Sequence, residues 1–169
     1  MAGNPDAIAL LKADHREVED LFEKVEKAKG HATKKSLAER ICMDLTLHTM
    51  LEEDMFYPAC EGAVEEDLLK ESRVEHDAAK VLIAEIEAGG PDEAFYDAKV
   101  TVLSEMIKHH VQEEEKPGKG VFSQARAAGL DMHALAERLE NEKRELMAKF
   151  KAQGLPMPET PTLEATKLR

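Results

Sequence analysis

Four successive stretches of this chain carry apolar residues at three- and four-residue spacing, and in each a histidine interrupts the stripe near its middle. The first is Ile8, Leu11, His15, Val18, Phe22 and Val25, and the second is Leu37, Ile41, Leu45, His48, Glu52 and Phe56. The third is Leu69, His76, Ala79, Ile83 and Ile86, and the fourth is Leu103, Met106, Ile107, His110 and Glu114. Such spacing turns one face of an α-helix toward a core. Four helices must therefore each bury a polar side chain, and two of them bury a glutamate one turn further on. No stretch alternates polar and apolar residues as a half-buried strand would. Short connections make neighbouring helices antiparallel, so the expected fold is all-α, an up-down-up-down four-helix bundle with a C-terminal helical extension.

Turn and cap residues set the expected boundaries. Asn4 and Pro5 read as an N-cap followed by proline in the first helical position, and Gly30 as the C-cap of that helix. The second helix is expected from about Thr33 toward Pro58 and Gly62, the third from about Val64 to Gly89, and the fourth from Pro91 to a stop before Pro117. An irregular KPGKG turn, a short piece from Val121 to Ala128 and a fifth helix from Asp131 to Gln153 follow. Leu135, Leu139, Leu146 and Phe150 form the apolar side of that fifth helix. The Pro- and Thr-rich end reads as an extended or loose tail. In domain terms, residues 1–128 form the bundle, 129–154 a C-terminal helix packed on or beside it, and 155–169 the tail.

The formal charge of -12 is spread along the chain rather than gathered in one segment. A surface of that sign repels phosphate backbones and anionic lipids, so no nucleic-acid or membrane partner is expected, and cations are favoured. The N-terminal stretch has no basic region followed by an apolar run, and no segment approaches the roughly 20 apolar residues of a membrane span. Cys42 and Cys60 lack CxxC spacing, which predicts reduced thiols and a cytoplasmic protein, a monomer or a small homo-oligomer.

A histidine with glutamate four residues later is weak evidence in so acidic a chain, because His15, His48, His109, His110 and His133 all have one. Placement separates them. His31 is expected in a connection, and His133 lies off the stripe of its helix. His48 with Glu52 and His110 with Glu114 lie in line with residues that must face the core. In HHVQEEE, His110 and Glu114 point inward, while His109 and Glu113 are rotated toward the solvent by about 100°. Buried carboxylates are costly unless paired or bound to metal. His15, His48, Glu52, His76, His110 and Glu114 converging between four helices call for a cation, and their order repeats in the two halves of the chain. The pattern predicts two metals, each near two histidines, with both carboxylates able to bridge. Imidazole and carboxylate donors suit iron, manganese or zinc.

These residues, in the motifs ADHREVEDLFE, LHTMLEEDMFYPA, EHDAAKVLIAEIE and KHHVQEEE, resemble the hemerythrin-like, HHE cation-binding family over roughly residues 6 to 128. The resemblance implies a non-haem di-iron centre with two iron ions bridged by oxygen and two carboxylates, zinc or manganese being substitutes. It makes His15, His48, Glu52, His76, His110 and Glu114 the metal ligands. It also implies a small-molecule partner: reversible binding of dioxygen, or reaction with peroxide or nitric oxide. Oxygen carriers of the family have a second histidine four residues from the first on the third helix; here the flanking positions are Ser72 and Lys80. Glu19, Tyr57 and Lys80 are the candidates for that missing position. Three roles stay open on the sequence: a binder of a small oxygen or nitrogen species, a peroxidase-like or nitric-oxide-reducing enzyme, and a metal-binding protein for storage or sensing.

Overall fold

A computed structural model describes residues 3–163, and among these residues it contains helices and no strand. Helix α1 spans Ala7–Lys27 and α2 spans His31–Leu51. The second helix continues through a π-helical turn, Glu52–Phe56, into a short α3, Tyr57–Cys60. Then come α4 (Glu66–Ala88), α5 (Tyr96–Glu114), α6 (Val121–Ala127) and α7 (Met132–Gln153). Helices α1, α2, α4 and α5 form the expected four-helix bundle, with α1 against α2, α4 against α5 and α2 against α4, while α7 lies across α1 and α2.

Several expected boundaries shift. The N-cap of α1 is Asp6 rather than Asn4, because the Asp6 carboxylate accepts the Ala9 N–H at 2.9 Å. Gly30 does not close α1, whose C-cap is Ala28; it caps α2, so His31 is the first residue of that helix and not part of the connection. Pro91 does not open the fourth bundle helix. Residues 91–95 make turns, and α5 begins at Tyr96.

The tail is not loose where it is described. Leu155 packs against the core, and Thr162 donates from its backbone N–H and its hydroxyl to Asp77 at 2.8 and 2.6 Å. A strap of residues 155–162 is thereby tied to α4. Residues 164–169 of the expected tail, like residues 1 and 2, lie outside the described residues.

The core consists of two apolar clusters with a polar layer between them. One, toward α6 and α7, includes Leu11, Leu51, Phe56, Phe122 and Leu139. The other includes Val18, Phe22, Leu45, Ile83 and Ile107. His15 falls between Leu11 and Val18 of α1, and His48 between Leu45 and Leu51 of α2. Each fully buried Leu, Ile or Phe contributes about 1.5–3 kcal/mol, and this apolar burial on both sides offsets the desolvation of the polar layer.

Past α5 the chain must turn sharply. A Cβ on Gly120 would sit 2.4 Å from the Glu114 carbonyl oxygen and 2.6 Å from that of Glu113. Only glycine lets the backbone return this closely over the end of α5 and lead into α6, which brings Phe122 to the polar layer.

Candidate metal centre

Four helices deliver the six predicted residues to one place. His15 comes from α1, His48 from α2, Glu52 from the start of the π turn, His76 from α4, and His110 and Glu114 from α5. All six are buried, with Glu52 at 0% and His76 at 1% exposure. Ligand atoms of His15, His48, Glu52 and Glu114 lie within 4.8 Å of one another, as do those of Glu52, His76 and His110. Glu52 belongs to both groups. Its Oε1 is 3.1 Å from His48 Nε2 and its Oε2 is 3.1 Å from His76 Nε2. Glu114 Oε2 faces His15 Nε2 at 3.3 Å and His110 Nε2 at 3.5 Å.

The histidines are paired through the same nitrogens, His15 Nε2 to His48 Nε2 at 3.0 Å and His76 Nε2 to His110 Nε2 at 3.2 Å. Two protonated rings cannot face each other at such distances, so each pair holds one proton or one shared cation. Neither Glu52 Oε1 nor Glu114 Oε2 has a hydrogen-bond donor in proper alignment, close though the imidazoles are. Groups that approach without pairing are groups directed at a common point.

The outward nitrogens explain why the rings point this way. Every Nδ1 faces a carboxylate: His15 meets Glu115 at 2.8 Å, His48 meets Asp14 at 3.3 Å, His76 meets Glu53 at 3.0 Å, and His110 meets Glu75 at 2.6 Å. A carboxylate there favours the Nδ1–H tautomer and leaves the Nε2 lone pair inward. These acids are the residues beside the inward ones in sequence, but each serves the histidine of the next helix. Asp14 of α1 holds His48 of α2, and Glu53 of the π turn holds His76 of α4. Glu75 of α4 holds His110 of α5, and Glu115 at the end of α5 closes the ring on His15 of α1. The sequence reading missed this ring, although four of the six inward residues have its acids beside them: Asp14-His15, Glu52-Glu53, Glu75-His76 and Glu114-Glu115.

Electrostatics follow from so many carboxylates. Burial pulls the His48 imidazole down, but Glu52 and Asp14 outweigh it and raise its pKa to about 10. His15 and His110 are likewise lowered by burial and raised on balance, the former by Glu114 and Glu115 and the latter chiefly by Glu114. Burial pushes the Glu52 carboxyl up, yet His48, His110 and His76 hold it well below the ordinary carboxylate range. Glu114 is raised by burial and by Glu52, and still ends below its ordinary value because of His110 and His15. All these directions express one demand for positive charge at the centre.

One hydroxyl enters this layer. Tyr57 Oη is 2.9 Å from Glu52 Oε2, 3.0 Å from Glu114 Oε1 and 3.3 Å from His76 Nε2. Burial first, then Glu114 and Glu52, push the phenol well above its usual pKa, so it stays a donor. In an unbroken α-helix Tyr57 would lie about 140° round from Glu52, at about 100° per residue. The π turn, closed by Tyr57 N–H to the Glu52 carbonyl, brings it back to the same side. Pro58 gives a local reason for the widened turn, since its ring cannot sit against the carbonyl four residues earlier in a regular helix.

The other two candidates for the missing histidine position point elsewhere. Lys80 Nζ binds Glu53, Asp77 and the Glu159 carbonyl, and Glu19 pairs with Arg16 at the surface. His109 is outward, its side chain 64% exposed beside Glu75. Cys42 and Cys60 are unpaired and buried, and burial pushes both thiols up, Cys60 to about 12. Among the described residues no helix is long and apolar enough to cross a membrane.

Four antiparallel helices closing on inward imidazoles and carboxylates define a helical cation-binding bundle. The chain belongs to the hemerythrin HHE cation binding domain family, whose model matches residues 6–117. A crystal structure of a hemerythrin HHE cation binding domain-containing protein from Mycobacterium kansasii superposes with a TM-score of 0.72, at 20% identity over 89% of this chain and 95% of that one. A curated relative, a DNA nickase from Nostoc sp., is 26% identical over 106 residues, 63% of this chain but 30% of the relative. The chain thus spans less than a third of that relative's length.

Proposed function

We propose that the centre holds two iron ions and binds or reacts with a small uncharged oxygen or nitrogen species, dioxygen, peroxide or nitric oxide. The observation that carries this reading is the donor balance. With each Nδ1 turned to a carboxylate, four inward Nε2 atoms and two buried glutamates face one another, and the Tyr57 hydroxyl reaches both glutamates. A cation satisfies such a set, and the two overlapping groups that share Glu52 provide for two. Imidazole and carboxylate suit iron, and a pair of such ions would supply electrons to an oxygen or nitrogen species bound beside them.

The chain's own residues supply the rest. His15 and His48 would hold one ion and His76 and His110 the other, with Glu52 spanning both pairs and Glu114 reaching from His15 to His110. On the side away from Glu52 and Tyr57 lies a small cavity of about 10 Å³, walled by Val18, Leu45, Thr49, Ile107 and Val111 against the four rings. Its apolar wall marks the side from which an uncharged small molecule would approach the imidazoles. The Tyr57 hydroxyl stands opposite, placed to give a proton to either glutamate. The nickase activity of the Nostoc relative is not carried over, since a chain of charge -12 repels a polyanion.

Elemental analysis of protein produced with ample iron should find about two metals per chain, chiefly iron. Removing them should lower the thermal midpoint, because carboxylates and imidazoles would then be left facing one another in the core. A folded protein that reproducibly holds no metal would overturn the reading.

A further inference from the structure

The cavity against the histidines is small and partly enclosed, and three larger spaces lie around it. The largest, about 590 Å³, lies between α2 and α4 under the C-terminal strap; Thr49, Ile83 and Ala84 line its inner side and Leu155, Pro156 and Met157 its outer side. Thr49 also lines the histidine cavity, so one side chain stands between the two spaces. It is 2% exposed, and its hydroxyl is occupied by the Thr46 carbonyl at 3.1 Å on its own helix.

The alternatives are poorer. A cleft of about 300 Å³ between α1 and α5, lined by Val25, Tyr96, Val100 and Ser104, shares no lining residue with the histidine cavity. A space of about 40 Å³ beside α7 touches it only at Asp14. That carboxylate is fixed between His48 and Lys143.

We propose that the small molecule enters between α2 and α4, beneath the strap, and that Thr49 is the gate of this path. The inference rests on the reading above that the centre binds such a molecule. Glu53, Asp54, Glu87 and Glu159 line the cleft with a single lysine, Lys80, which is itself bound to Glu53 and to the Glu159 carbonyl. An entrance of that charge turns anions away and admits uncharged molecules. The strap limits its width, pinned by Thr162 on Asp77 and by Lys80 on Glu159.

A gate alters entry and exit together and leaves equilibrium alone. Stopped-flow mixing of the iron-loaded full chain with nitric oxide should show association and dissociation both slowed about tenfold in Thr49→Leu. Ala84→Trp, which fills the cleft from outside the core, should do the same, and Ser104→Trp in the α1/α5 cleft should change neither rate. Azide, an anion, should bind faster as salt is raised, and Glu87→Gln should speed it. Slowing by Ser104→Trp with none by Thr49→Leu or Ala84→Trp overturns the path, and azide binding indifferent to both salt and Glu87→Gln overturns the charge selection. Xenon needs no metal. Crystals of the full chain under xenon pressure should show it beside Ile83 and in the histidine cavity whether or not iron is bound, and xenon beside Val100 with none along Ile83 and Thr49 overturns the route independently of the iron reading.

Discussion

The two halves of the bundle, α1 with α2 and α4 with α5, match one another as far as their second glutamate and then diverge. Asp14-His15 and His48 through Glu52-Glu53 in the first half correspond to Glu75-His76 and His110 through Glu114-Glu115 in the second. After Glu53 the helix continues through the π turn, and Tyr57 stacks on His76 with centroids 5.4 Å apart. After Glu115 the chain turns over Gly120, and Phe122 stacks on His15 at 5.8 Å. Each half thus lays an aromatic ring on a histidine of the other, but only the first brings a hydroxyl. Positions that must face a common centre are constrained by helical geometry to repeat, whereas the ring laid over them is reached by whatever route the chain takes next. The half-sites differ in hydrogen-bond donors, not in their inward-facing set.

The largest test of that equivalence is removal of one inward group from each half. His48→Ala and His110→Ala should each remove or halve the bound metal, as should Glu114→Ala, whereas His109→Ala and Glu113→Ala should leave it nearly intact. Metal per chain, measured side by side in purified variants, decides this. Loss in His109→Ala with retention in His110→Ala would contradict the direction in which the rings face. A loss confined to one half would show that the two pairs do not hold equivalent ions.

A smaller effect is expected from the carboxylates behind the rings. Asp14→Ala in the first half and Glu75→Ala in the second should each weaken metal binding by about ten- to a hundredfold, since an imidazole without its Nδ1 partner is less basic and free to turn. Competition with a chelator of known affinity measures it. Unchanged affinity in both variants would mean that packing alone orients the histidines.

The bundle and its inward residues were legible in the sequence because both obey one rule. A side chain three, four or seven positions from core residues on a helix shares their direction, so His15, His48, His76 and His110 could be placed from spacing alone. What escaped was whatever depends on relations between helices or on departures from the α-helical period. The ring of Asp14, Glu53, Glu75 and Glu115 joins residues of different helices, and in an acid-rich chain four more acids carry no visible mark. Tyr57 was one of three candidates with nothing to rank it, because its direction depends on a π turn that a period of 3.6 residues does not contain. The strap was hidden for a related reason. Its Pro- and Thr-rich composition reads as extended or loose and points to no partner, yet Leu155 reaches the core, and Thr162 finds in Asp77 an acceptor 85 residues away in sequence.

Tyr57→Phe would remove the hydroxyl that the first half alone lays over a histidine, placing a plain ring on His76 to match Phe122 on His15. Metal content should be unchanged, because the hydroxyl lies beyond the set of six and a phenyl ring fills the same space. Stability should respond differently in the two forms of the protein. Without metal, Tyr57 is the hydroxyl donor near both Glu52 and Glu114, and its loss should cost about 1.5 kcal/mol, the lower range for a hydrogen bond to a charged group. With metal bound, the cations satisfy those carboxylates and the cost should be well below that. Urea unfolding of wild type and variant, each with and without metal, gives the four values needed. An equal loss in both forms would mean that the hydroxyl and the cations do not serve the same oxygens. Loss of metal from Tyr57→Phe would instead make Tyr57 a seventh ligand, and the two half-sites would then differ in coordination as well as in donors.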